Sequence, residues 1–119
     1  MYPGKFEEPL ARHGGFTHFD QGLSAVVRSG EGLIILLNSK RMAPYSLEQL
    51  RSCGLNPGSF RVLVAKGVNA PIAAYEEVSS RFIRVDTPGV TASNLNHFYY
   101  HHRRRPMFPF ERDLEWSFS

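Results

Sequence analysis

The chain has 119 residues, the size of one ordinary domain and enough to bury a core without disulfide or metal staples. Hydrophobic residues make up 42% and charged residues 21%, a globular composition, and a net charge of only +3 excludes a generally basic, nucleic-acid-coating protein. The single cysteine, Cys53, excludes an internal disulfide and a four-thiolate zinc site. Residues 1–20 hold no apolar signal segment, and the longest apolar run, 33–37, is too short to cross a membrane, so the expectation is one soluble, cytoplasmic domain over 1–119.

In chain order, residues 1–15 are rich in glycine, proline and charge without an apolar period, and read as irregular. Residues 23–28 form a strand candidate, Ser29-Gly30-Glu31-Gly32 a turn, and 33–37 a second strand whose unbroken apolar run predicts cover on both faces. The two make a hairpin. Ser46 and Gln49 have capping-box spacing, Tyr45 and Leu50 occupy hydrophobic-staple positions, and Gly54 stands at a left-handed C-terminal cap, which predicts a helix over 46–53. Asn56-Pro57 starts a further turn.

Arg61-Val62-Leu63-Val64-Ala65 then reads as a short buried strand, Asn69 as the cap of a helix to about Ser79 with Pro71 in its first turn, and Phe82-Ile83-Arg84-Val85 as the next strand. Strand, helix, strand at this spacing predicts a right-handed crossover between parallel strands. Thr91 or Ser93 caps a last short helix, and 99–119 is an aromatic and basic tail. The fold class expected is α/β, a small mixed sheet with a β-hairpin and at least one βαβ crossover.

An open parallel sheet binds ligands beyond the carboxyl ends of its strands. Three strand ends here carry polar residues, which nominates Ser39, Lys40, Arg41, Lys66, Gly67, Asn69, Asp86 and Thr87 as ligand or interface residues. Lys66 precedes a helix N-terminus, whose free N–H groups favour an anion. The competing reading is that strand ends simply need turn residues and solvated lysines. A second basic candidate is Arg103-Arg104-Arg105, beside Phe98, Tyr99 and Tyr100, a combination that suits phosphate contacts and base stacking. The small net charge argues instead for a solvated or docking segment with Met107, Phe108 and Phe110 folded back on the core.

Other chemistries lack their parts. Val85-Asp86-Thr87-Pro88-Gly89 resembles a GTPase switch segment, but the phosphate-cradling GxxxxGK[ST] loop is absent. His97 and His101 stand four apart, as on one helical face, with His13, His18 and His102 elsewhere and no HExxH pattern, so a zinc site with three or four converging ligands has no sequence support. Cys53 sits near a helix C-terminus, where the dipole disfavours a thiolate, and reads as a buried core residue; no G-x-S-x-G is present. No catalytic residue and no metal ligand is assigned.

Taken in order, several segments resemble the C-terminal domain of the microcystinase C (MlrC) family of zinc metallopeptidases, linked by name to microcystin degradation. They are Ala11-Arg12-His13-Gly14-Gly15-Phe16, residues 22–28, residues 38–52 from Asn38-Ser39-Lys40-Arg41 onward, Leu63-Val64-Ala65-Lys66-Gly67, Ala70-Pro71-Ile72-Ala73-Ala74-Tyr75-Glu76, Val85-Asp86-Thr87-Pro88-Gly89-Val90 and Arg103-Arg104-Arg105-Pro106-Met107-Phe108-Pro109. The resemblance covers about residues 11–112. It implies an accessory domain of a hydrolase, packed against a larger catalytic N-terminal domain or subunit that carries the zinc and the catalytic residues, with no cofactor in this chain. Self-association is the expected consequence where that partner is missing. Lys40 and Arg41 stand where relatives tend to carry two arginines, and Lys40 keeps the charge but loses the bidentate fork. Asn69 and Ile72 stand where histidine and arginine are often found. The alternative is an independent small binding module for an anionic ligand or nucleic acid.

Overall fold

A computed structural model describes residues 1–10, 14–67, 69–90 and 92–112. Its backbone divides into two units, Met1–Ile83 and Arg84–Ser119.

The first unit begins with β1 (Lys5–Glu7), which pairs antiparallel with β2 (His18–Asp20). Residues 1–15 were expected to be irregular, and this ladder corrects that. Three residues carry the pairing: Phe6 turns inward between two charged neighbours and stacks on its cross-strand partner Phe19, ring centroids 5.3 Å apart. One apolar residue in a charged triplet gives no visible period, so the contact that makes the strand is non-local.

The hairpin forms as expected, with β3 (Ser24–Arg28) antiparallel to β4 (Ile34–Asn38). Ser29 closes its turn: the Oγ accepts from the amides of Glu31 and Leu33, while the Ser29 amide donates to the Leu33 carbonyl. The sheet stops at two strands, so β4 is not covered on both faces as its composition predicts; Ile35 and Leu37 remain exposed.

The helical region keeps the Ser46–Gln49 bonds and the Gly54 turn but shortens the helix, whose N-cap is Leu47, without a side-chain cap bond, rather than Ser46. Helix α1 spans Glu48–Arg51. Ser46 Oγ accepts from the Glu48 amide and Gln49 Oε1 accepts from the Ser46 amide, a reciprocal exchange one residue tighter than the usual capping box. At the other end Gly54 adopts φ +69°, its amide donates to the Arg51 carbonyl, and the Leu55 amide reaches back to the Leu50 carbonyl. That pair of bonds is a Schellman closure. Asn56 then accepts from the Gly58 amide and opens a 3-10 turn, Pro57–Ser59.

Helix α2 (Ala70–Tyr75) has Pro71 in its first turn as expected, but it ends near Tyr75 rather than Ser79, and Asn69 makes no side-chain cap bond. Leu47, Ala74 and Tyr75 form the core of this unit, with Leu50, Leu63, Ala65 and Val78 packed against them. Burial pushes the Tyr75 hydroxyl's pKa up.

Residues 61–65 and 82–85 are not strands in this structure, and no βαβ crossover forms among the described residues. Their β-branched composition suits a strand, but a parallel strand needs a neighbour on its edge and cover on both faces, and neither segment finds a paired strand among the described residues. What stands is a mixed α/β architecture of two small antiparallel sheets and short helices.

In the second unit the described residues hold one element, a 3-10 turn, Leu95–His97. Asn94 caps it by accepting from the Asn96 amide, not Ser93 as expected; Thr91 lies outside the described residues. No helix among the described residues is long and apolar enough to cross a membrane.

Candidate functional site

Two of the three nominated segments lie in the first unit, and the structure brings them close. After β4 the chain stays tied to residues 21–23: the Ser39 amide donates to the Leu23 carbonyl and the Lys40 amide to the Gln21 carbonyl. Gly22 permits this approach, since its φ is +72° and a Cβ there would lie 2.2 Å from Ser39 Oγ. Lys40 Nζ pairs with Asp20, whose other oxygen accepts from the Gly22 amide at 2.8 Å. The Lys40 hydrogen bond, helped by that amide, holds the Asp20 carboxyl below the usual range. Lys40 is therefore engaged with its own chain.

Arg41 and Lys66 are exposed and make no ion pair with any described residue. Gly67 links their two loops: a Cβ on it would sit 3.2 Å from Pro71 Cδ and 3.8 Å from Pro44 Cδ, which places the 41–44 loop beside 66–71. Asn69 is exposed and leaves the first turn of α2 uncapped. Six helical residues sum to a small macrodipole, so Lys66 rather than the helix end is the stronger pull on an anion.

Asp86 and Thr87 belong to the second unit. Asp86 Oδ2 accepts from Asn94 Nδ2 at 3.2 Å and lies 3.6 Å from His97 Nε2, while Thr87 is exposed. Asp86 thus braces the turn that carries His97 instead of presenting an open carboxylate.

The basic run splits into one engaged and two exposed arginines. Arg103 forms a two-point pair with Glu111 at 2.7 and 2.5 Å, and its guanidinium stands 4.5 Å above the Phe110 ring. Glu111 also accepts from the Met107 amide, and these bonds, Arg103 first, pull its pKa from 4.5 to about 2. Tyr100 packs edge-on to Phe110 and Phe98. Arg104 and Arg105 remain exposed.

Among the described residues no three His, Cys, Asp or Glu side chains converge. His18 contacts Thr17, His101 lies edge-on to Tyr99, and the turn that holds His97 ends before His101, so the two do not share a helical face. His13 lies outside the described residues. Cys53 is buried, as its position suggested, with Sγ 3.9 Å from the amide nitrogen of Gln21.

Sequence reading passed over one feature. A cleft of about 190 Å³ is lined by Glu8, Leu10, Leu47, Arg51, Ala74 and Glu77 among others. Arg51 bridges Glu48 at 2.7 Å and Glu77 at 2.6 Å across its wall. The Glu48 and Arg51 spacing was a visible signal for the first pair; the second, with Glu77, joins residues 26 apart and left none.

A protein-family model described as MlrC C-terminus matches residues 1–102, most of the chain. Neither the curated proteins nor the solved structures yielded a match.

Proposed function

The chain belongs to the MlrC C-terminus family, and from that premise we propose that it is the accessory domain of an MlrC-like zinc metallopeptidase, bracing a catalytic portion and lacking hydrolase activity by itself. The family match over residues 1–102 carries this reading. One feature of the fold supports it: the exposed aliphatic residues of β4 and of 61–65 are those a neighbouring layer would cover. In this reading the catalytic portion supplies the zinc and its ligands, and Arg41, Lys66 and Asn69 line the rim of its cleft. The working compartment is the cytoplasm.

The test is elemental analysis of the purified chain together with a peptide-hydrolysis assay on the same sample. No stoichiometric zinc and no cleavage are expected. Near-stoichiometric zinc, or cleavage by the chain alone, overturns the reading and makes the five histidines the first residues to replace.

A second reading rests on the exposed Arg41 and Lys66, which pair with no described residue and whose loops meet beside Gly67: a binding module for an anionic ligand. It requires anion binding that weakens with salt and is lost in Lys66→Ala. Phosphate affinity unchanged in that variant removes it.

A further inference from the structure

Residues 61–66 are extended in pattern yet unpaired. Leu63 and Ala65 pack on the Leu47, Ala74 and Tyr75 core, while the alternate residues Val62 and Val64 are 73% and 96% exposed. That is the two-residue period of a strand with one face already seated. The backbone amides and carbonyls of 61–66 make no hydrogen bond with any described residue. An unpaired strand edge of this kind is a template for another strand.

The charges at its ends select the occupant. Arg61 and Lys66 flank the apolar stretch, both exposed and without an ion pair to any described residue. A second copy in antiparallel pairing would bring its Arg61 end near this chain's Lys66 end at both ends of the ladder; the alternation puts the two side chains on opposite faces, so they meet only diagonally, but 61–66 holds no carboxylate to offset their repulsion. A strand with carboxylates at its ends turns the same two positions into attractions. We propose that residues 62–66 are a strand-acceptor edge, completed by an apolar strand flanked by Asp or Glu and supplied by the catalytic portion of the MlrC-like protein. The inference rests on the accessory-domain reading above. Pairing gives the exposed valines a covered neighbour and lets an alternate set of the amides and carbonyls of 62–66, which bond no described residue, bond across the ladder.

Amide hydrogen exchange on the 119-residue chain tests it with three probes. The first two are a short peptide of alternating valine and threonine with glutamate at each end, and the same peptide with lysine ends. The third is the N-terminal portion of an MlrC-like protein. The glutamate-ended peptide and the N-terminal portion should each slow exchange about tenfold or more at one alternate set of amides, Val62 and Val64 or Leu63 and Ala65, since successive amides of a strand face opposite edges. The lysine-ended peptide should not, and the double variant Arg61→Glu with Lys66→Glu should reverse the preference between the peptides. Equal protection by both peptides, or by neither, overturns the inference. So does protection that rises with the concentration of the chain alone, which would identify a second copy as the occupant. If the N-terminal portion binds but protects other residues, the strand edge fails and the accessory reading stands; if it does not bind, the accessory reading fails with it.

Discussion

Helix α1 and the segment 61–66 lean on the same core cluster, yet one is closed and the other open. Around α1 the backbone groups at both ends find partners within a few residues, through Ser46, Gln49 and the Gly54 turn. Along 61–66 the core takes Leu63 and Ala65, and no described residue takes the backbone. A helix satisfies its amides locally, whereas a strand depends on a second chain segment. The same apolar content therefore gives a finished element in one place and an exposed edge in the other.

If the comparison is right, the closed region should be sensitive and the open one tolerant. Leu47→Ala removes a side chain only 4% exposed from the core that both regions share, and should lower stability by about 2–4 kcal/mol in urea unfolding. Gly54→Ala places a Cβ on a left-handed residue and should cost about 1–2 kcal/mol in the same measurement. Loss of the cap in Ser46→Ala should cost about 1 kcal/mol, read as a shift in midpoint with an unchanged slope. At the other extreme, Val64→Thr should change the stability of the isolated chain by no more than about 0.5 kcal/mol, because Val64 is 96% exposed. A large loss there would mean that 61–66 is already paired in solution.

The Arg103 and Glu111 clasp gives a pH-dependent contrast within the second unit. Glu111 has its folded pKa lowered from 4.5 to about 2, so its contribution is present above 4.5 and is lost as pH falls towards 2. The ring resonances of Phe110, which Arg103 covers, should hold steady down to about 4.5 and shift below it. A shift centred near 4.5, the ordinary carboxyl value, would show that the clasp does not form.

Legibility in the sequence followed the range of the interactions. Ser46, Gln49 and Gly54 announced α1, Asn56-Pro57 its following turn, and Ser29 to Gly32 the hairpin turn, because each signal acts within five residues. The Phe6 and Phe19 ladder escaped notice because its partners are 13 positions apart and lie among charges. The strand and crossover expected over 61–85 followed from composition, which records a preference for the extended state but not the presence of a neighbour. Among the nominated residues, chemistry was legible and availability was not. Lys40 and Arg103 look identical in sequence to Lys66 and Arg104, yet the first two are held by Asp20 and Glu111.

The sequence by itself determined the family, the hairpin, the Ser46–Gln49 bonds and Gly54 turn that flank α1, and the buried setting of Cys53, all of which depend on local pattern or on an ordered series of motifs. Only the tertiary structure decided which charges are spent on internal pairs, that β1 exists, and that 61–66 has a seated face and a free edge. Those outcomes depend on which distant segments meet, and side-chain type alone does not encode the distance between them.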